Sequence, residues 1–300
     1  MNLGFVGVGQ WAQKLATAFR ECGAEIVAYD RASSPTQNPP HFGTWYPWHD
    51  QIASDKIDAL IICAPPEVTT EVALECAKAG KRCVATKPLL WTEYPSELFR
   101  DLPGLTGEQQ RVILRYWEVL NRSLYVDLWR LYSPAWLALK EELRGKKIDR
   151  IDVSFCGNGP FRSFNGALDY GPHALAFVFD LLGSTEVTDL QVTELEAVEG
   201  GKLYGADMRV AGTFASMTIG NGAQEPKRQV DVWVDDRSRW TFVEPENGTQ
   251  AFLVDVDEPR ITCTKALALR RFCRAFMACE PSRTLEYSIA AMRVLERIIA

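Results

Sequence analysis

Residues 2–12 read NLGFVGVGQWA. The run from Asn2 to Val6 is apolar, and QWAQKLATAFREC after it repeats its apolar residues at helical spacing, so a buried strand feeds a helix through Gly7-Val8-Gly9. The two glycines let the chain turn tightly and let a partner approach the backbone, and Ala12 keeps the helix close to the strand. The amides of Gln10, Trp11 and Ala12 then open a helix, where partial positive charge collects. A second strand, AEIVAYD, ends in Asp30, at roughly the 20-residue distance expected of a ribose-binding carboxylate. G-x-G-x-x-A between strand and helix, with that aspartate, makes a βαβ unit suited to a dinucleotide whose pyrophosphate sits on the helix N-terminus. A flavodoxin-like turn is the alternative, and Asp30 speaks against it. Asp30 accepts hydrogen bonds from ribose hydroxyls and repels a 2′-phosphate, which favours NAD; Arg31, Ser33 and Ser34 are suited to such a phosphate and keep NADP open.

The alternation continues. IDALIICAPP reads as a strand, EVTTEVALECAKAG as a helix closed by Gly80, and KRCVATKP as a strand. TGEQQRVILRYWEVLN is predicted as a helix opened by a capping box from Thr106 to Gln109, and LYVDLWRLY as a further strand. The pattern predicts a doubly wound parallel sheet with helices on both faces. SPAWLALKEELRG is helical, residues 185–256 are β-rich, and amphipathic helices are expected near 265–279 and 285–299. A chain of 300 residues suits two domains, drawn here as 1–131 for the dinucleotide and 132–300 for substrate binding and oligomerisation.

A net charge of −6 argues against a nucleic-acid or anionic-membrane surface. No apolar run is long enough to cross a bilayer, and the start reads as a strand and not a leader, which leads us to expect a cytoplasmic protein. The eight cysteines include no C-x-x-C pair and read as small buried hydrophobes in a reducing compartment; with three histidines, a metal site is not expected. The sequons at Asn121 and Asn247 then carry no weight.

One histidine follows position 49, in GALDYGPHALAFVFDLLG, residues 166–183. Pro172 predicts a helix starting there and ending at Gly183, apolar almost all round and therefore buried. His173 would sit in its first turn with Asp169 just before it, close enough for carboxylate to touch imidazole. The helix end disfavours imidazolium and the carboxylate favours it. A histidine merely starting a core helix is the plainer alternative.

GVGQWA, APP, TKP and DYGPH occur in an order and spacing that resembles the glucose–fructose oxidoreductase and inositol dehydrogenase (Gfo/Idh/MocA) family of NAD(P)-dependent oxidoreductases. VDLWRLYSPAWLALKEEL and the closing ALRRFCRAFMACEPSRTLEYSIAAMRVLERI also look like the family. The resemblance implies a Rossmann domain followed by an α/β domain whose open, largely antiparallel sheet commonly forms an oligomer interface, here a homodimer or homotetramer. It implies cofactor contacts from Gly7, Val8, Gly9, Gln10, Trp11, Ala12, Asp30, Arg31, Ala64, Pro65, Pro66, Thr69, Thr86, Lys87 and Pro88. It further implies hydride transfer between nicotinamide and a sugar, cyclitol or sugar-derived alcohol, with His173 as base, Lys87 hydrogen-bonding the substrate oxygen, and Asp169 orienting His173 or binding a neighbouring hydroxyl. Trp11, Trp45, Trp48 and Trp129 are candidates to stack on a sugar face. Thr86 stands where the family usually has glutamate, and Thr69 where many members have histidine. Those departures leave two alternatives open: reduction of a C=N or conjugated bond, and a non-catalytic dinucleotide sensor.

Overall fold

β1 (Asn2–Val6) is buried on both faces, with Leu3 and Phe5 at 0% exposure, as an apolar run in the middle of a parallel sheet must be. α1 (Gln10–Glu21) buries Ala12, Leu15, Ala16 and Phe19, a stripe at helical spacing, against that sheet. β2 (Glu25–Asp30), β3 (Thr44–Trp45), α2 (Trp48–Ala53), β4 (Ala59–Ile62), α3 (Pro66–Lys78), β5 (Arg82–Ala85) and β6 (Leu124–Val126) complete a six-stranded sheet of order β3-β2-β1-β4-β5-β6. Every strand pair in it is parallel. The order reverses direction between β1 and β4, which is the switch point of a doubly wound sheet.

This computed structural model describes residues 1–31, 42–89, 123–158, 165–198, 200–235, 238–245, 249–254 and 260–300. The expected capping box from Thr106 to Gln109, Ser33, Ser34 and both sequons lie outside the described residues. The chain divides into two compact units, Met1–Asp127 with Phe272–Ile289, and Leu128–Arg271 with Ala290–Ala300. Residues 272–289 join the first unit through side chains: Phe276 packs on Tyr125 and Phe19 at centroid distances of 5.2 and 5.9 Å, and Thr284 Oγ1 accepts the Val126 amide at 3.0 Å. Where LYVDLWRLY was expected to be one strand, pairing stops at Val126; Asp127 turns inward, and Trp129–Tyr132 forms a 3-10 turn.

The second unit is built on an eight-stranded sheet. After α4 (Pro134–Leu143), β7 (Ile148–Gly157) and α5 (Gly166–Leu182) come β8 (Val187–Leu195), β9 (Lys202–Val210), β10 (Thr213–Asn221), β11 (Lys227–Val234), β12 (Ser238–Val243), β13 (Thr249–Val254) and β14 (Ile261–Thr264). The order is β14-β13-β12-β11-β7-β10-β9-β8, with β7 and β10 parallel and the other pairs antiparallel. The chain closes with α6 (Lys265–Met277) and α7 (Thr284–Ile299). α4 and α5 cover one face, where Phe177 meets Trp136, Phe155 and Phe242 at ring-centroid distances of 4.5, 5.4 and 5.1 Å. The residues alternating with that core are polar and bonded to one another: Thr241 Oγ1 donates to Asp231 Oδ1 at 2.5 Å, Trp233 Nε1 donates to Asp152 Oδ2 at 3.1 Å, and the Arg239 guanidinium lies 5.8 Å over the Trp233 ring.

Phe177 is fully buried among three large rings, and truncating such a side chain leaves a cavity. Phe177→Ala should therefore cost about 3–5 kcal/mol in chemical denaturation, with cofactor binding by the folded protein retained. A loss below about 1 kcal/mol would contradict this packing.

Candidate active site

The turn after β1 is set by backbone approach. Gly7 has φ +90° and donates its N–H to the Asp30 carbonyl at 2.9 Å, and a Cβ there would overlap the Cys63 carbonyl at the end of β4. Only glycine meets both demands. Gly9 differs. It is the N-cap of α1 at φ −66°, no side chain caps the helix, and a Cβ built on it meets nothing within 4 Å. The first-turn amides of Gln10, Trp11 and Ala12 thus open beside an uncrowded glycine, with no acidic side chain in that turn. A pyrophosphate fits such a cradle by charge and by space. Val8 is half-buried and Gln10 exposed, while Ala12 is fully buried and seats the helix on the sheet.

The other candidates of this unit stand at the carboxyl ends of neighbouring strands. Asp30 pairs with Val6 across β1 and β2; its Oδ1 accepts the exposed Arg31 amide at 2.6 Å and its Oδ2 the Trp48 amide at 2.9 Å. The carboxylate is held at the sheet end with acceptor sites to spare, since two oxygens offer about four. After β4, Ala64-Pro65-Pro66 enters α3 with Pro66 as its first residue, where a missing N–H costs nothing. Thr69 closes that turn: its hydroxyl donates to the Ala64 carbonyl at 2.9 Å and the residue is 0% exposed. It therefore braces the turn. After β5, the Thr86 amide donates to the Ile62 carbonyl at 3.0 Å; Lys87 is half-buried and is joined to buried Pro88 by a cis peptide bond.

Asp127 was missed in the sequence. It directly follows β6, is 2% exposed, and accepts the Trp11 indole N–H at 2.6 Å. A carboxylate so placed fixes Trp11 at the start of α1. Burial pushes the Cys63 thiol well up, and the Asp127 charge adds to this; Cys273 is raised by burial as well, with Cys22 and Asp127 contributing. Both stay protonated and are poor nucleophiles or ligands. Among the described residues no group of three or more His, Cys, Asp or Glu could hold a metal, and no helix is long and apolar enough to cross a membrane. Of the tryptophans considered for sugar stacking, Trp129 is buried beneath the Arg130 guanidinium and Trp48 stacks on His49 at 3.4 Å.

In the second unit, α5 begins six residues before the expected start at Pro172. Asn165 caps it by accepting the Ala167 amide at 3.0 Å, and Gly183, at φ +67°, ends it. Pro172 lies inside the helix and gives up one internal hydrogen bond. Asp169 is in the first turn; His173, four residues on along the same face, is 4% exposed. Helix-end charge falls off within one turn, so it acts at Asp169 and not, as was expected, at His173.

A charged cluster lies at the same end of this unit. Tyr170 of α5 sets its hydroxyl against Gly157, the last residue of β7, and Arg228, which pairs with Phe155 across β11 and β7, lies 5.7 Å over the Tyr170 ring. Glu244, just past β12 and 2% exposed, accepts Arg130 Nε and Nη2 at 2.9 and 2.9 Å, Gln250 Nε2 at 2.7 Å and Lys265 Nζ at 3.1 Å. Burial pushes its carboxyl up, but Arg130, with Lys265 and Gln250, outweighs this and holds it at about 2.

Two outcomes follow from this geometry. Gly9→Val should keep its thermal midpoint and lose NADH binding, whereas Gly7→Ala should lower the midpoint; equal NADH affinity in folded Gly9→Val would contradict the cradle. Because Glu244 lies below its ordinary 4.5, the stability it contributes is full above pH 4.5 and is lost as pH falls toward 2. The gap between wild type and Glu244→Gln, on the order of 3 kcal/mol at pH 7, should therefore shrink on acidification through that window. A gap independent of pH would contradict the assignment.

Residues 1–100 match the family model GFO_IDH_MocA, described as "Oxidoreductase family, NAD-binding Rossmann fold". No curated protein matches the chain. Among solved structures the chain is similar to a UDP-N-acetylglucosamine 3-dehydrogenase from Acidithiobacillus ferrooxidans, 18% identical, TM-score 0.73, covering 100% of this chain and 97% of that one. It is also similar to a biliverdin reductase from Synechocystis sp. PCC 6803, solved with biliverdin and NADP+, at 18% identity, TM-score 0.69, and coverage of 99% and 98%. A 3-ketoreductase from Actinomadura kijaniata, solved with TDP-benzene and NADP, is 16% identical with TM-score 0.69 and coverage of 100% and 96%. The first hundred residues thus match the model of the NAD-binding Rossmann oxidoreductase family GFO_IDH_MocA, and the whole chain has the fold of these solved dehydrogenases and reductases.

Proposed function

We propose that this protein is an NAD(P)-dependent dehydrogenase or reductase acting on a CH–OH group of a sugar, cyclitol or sugar-derived alcohol, or on the corresponding ketone. The observation that carries this reading is the uncapped start of α1 beside Gly9, placed where the sheet order reverses. In this reading Gln10, Trp11 and Ala12 present their amides to the pyrophosphate, and Gly7, Val8, Ala64, Pro65 and Pro66 shape the wall around it. Asp30, beside Arg31, holds the adenosine ribose and favours NAD over NADP. Thr86 and Pro88 border the nicotinamide, which when bound donates or accepts the hydride. His173 takes the proton from the substrate hydroxyl, Lys87 hydrogen-bonds that oxygen as negative charge develops, and Asp169 orients His173 from one helical turn away.

A homodimer or homotetramer, as the family resemblance implies, is part of this reading. The eight cysteines, with no C-x-x-C pair among them, support a reducing, cytoplasmic setting. The similarity to a biliverdin reductase, together with Thr86 in place of a carboxylate, favours a second reading in which a conjugated or C=N bond is reduced.

A panel of polyols, nucleotide sugars, cyclic imines and linear tetrapyrroles, followed by absorbance of the reduced nicotinamide, tests the reading. Turnover of a polyol or sugar is expected. Turnover confined to imines or tetrapyrroles would select the second reading, and silence across the panel despite NADH binding would select a sensor. With a substrate in hand, Lys87→Ala and His173→Ala should each lower kcat on the order of a hundredfold with little change in NADH affinity. The double variant should lose less than the product of the two, because both groups serve one oxygen. Near-native kcat in His173→Ala would remove it from the mechanism. Asp30→Asn should narrow the preference for NAD over NADP by about tenfold, and a wild type that already prefers NADP strongly would overturn the cofactor choice.

A further inference from the structure

Glu244 is one carboxylate facing three cations, Arg130, Lys265 and Arg228. Its two oxygens already take four donors within 3.1 Å: Arg130 Nε and Nη2, Lys265 Nζ and Gln250 Nε2. Arg228 comes no closer than 4.0 Å, beyond hydrogen-bonding range, and its buried Nε has no hydrogen-bond partner among the described residues. The cluster therefore holds two more positive charges than negative ones. What stabilises the surplus is aromatic: Arg130 lies 4.6 Å over Trp129 and 5.7 Å over Phe155, and Arg228 lies 5.7 Å over Tyr170. Ring faces attract cations without neutralising them, so the surplus charge stays available to an anion.

The place of the cluster gives that charge a use. The Arg228 side chain is 20% exposed and that of Lys265 31%, while Glu244 is at 0%, so cations and not the carboxylate meet solvent. Tyr170, beneath Arg228, stands three residues before His173 on α5, and residues at that spacing share a helix face. Guanidinium and ammonium together suit an oxyanion, the first by its forked donors and the second by its compact charge.

We propose that Arg228 and Lys265, backed by Arg130, bind an oxyanion, a phosphate or carboxylate, carried by the substrate. This deepens the proposed function by making the substrate an anionic one, and it rests on reading the second unit as the substrate-binding part. Glu244 then sets the strength of the site: it anchors Arg130 and Lys265 and lowers the surplus charge to a level that the fold tolerates.

The test is calorimetric titration of the whole chain, free of cofactor, with inorganic phosphate, against potassium chloride at equal ionic strength. Wild type should bind phosphate, and Arg228→Gln should weaken it about tenfold or more with unchanged NADH affinity. Lys140→Gln, at a distant ion pair with Asp180, should leave phosphate affinity unchanged. If Arg228→Gln does not fold, Lys265→Gln, altered at the start of α6, carries the same comparison. Absence of phosphate binding by wild type, or equal affinity in the folded Arg228 or Lys265 variant, would overturn the proposal. Because this titration needs no turnover, its failure is distinct from failure of the hydride-transfer reading, which the substrate panel decides.

Discussion

The first unit depends on the close passage of the β1–α1 turn against the end of β4. Gly7 takes a left-handed conformation with its α-carbon against the Cys63 carbonyl, while the Cys63 amide donates back to the Val6 carbonyl at 2.7 Å. That contact brings the start of α1 to the point where the strand order reverses. A helix whose first amides are not capped from within the chain carries partial positive charge there, and the carboxyl ends of β2, β4, β5 and β6 bring Asp30, the Pro65-Pro66 turn, Lys87 and Asp127 to the same edge of the sheet. One backbone constraint thus fixes the position of the cofactor cradle. Across these ends Trp11 of α1 donates its indole N–H to Asp127.

How much of this was legible depended on whether the signal was local. β1, β2, β4, β5 and the start of β6 could be read because each is a short apolar run bounded by glycine, proline or a charge, and α1 and α3 show their own period, whereas the two-residue β3 and the six-residue α2 carry no such pattern. The second sheet was legible as β-rich sequence, but its central strand went unread. IDRIDVSFCG alternates cleanly, with Ile151, Val153 and Phe155 buried, yet it stands between two helices, and the strands it pairs with, β10 and β11, lie more than fifty residues further on. The association of residues 272–289 with the first unit rests on Phe276 against Tyr125 and Phe19, contacts more than a hundred residues apart that no periodicity encodes.

The candidate site was legible where a motif carries backbone geometry, as at Gly7, Gly9 and Asp30, and less so where tertiary packing decides. Pro172 reads as a helix start because proline removes an amide; Asn165, seven residues earlier, wins because its side chain caps the helix and the apolar surface of α5 outweighs one lost bond. Thr69 stands where many members of the resembled family have histidine, and only the fold shows its hydroxyl turned onto the Ala64 carbonyl. Asp127 and Glu244 left no trace in the sequence, since a buried carboxylate is recognisable only by the donors the fold brings to it. Glu244 is held by residues before and after it in the chain, Arg130 and Lys265, across more than a hundred positions in one case.

The central claim, that the start of α1 is the dinucleotide cradle, is tested most directly by amide-resolved nuclear magnetic resonance of the whole chain titrated with NADH. The account predicts that the largest and saturable shifts fall on the backbone amides of Gln10, Trp11 and Ala12 and on the Trp11 indole N–H bonded to Asp127. NADH binding that saturates while those four resonances stay in place would contradict it.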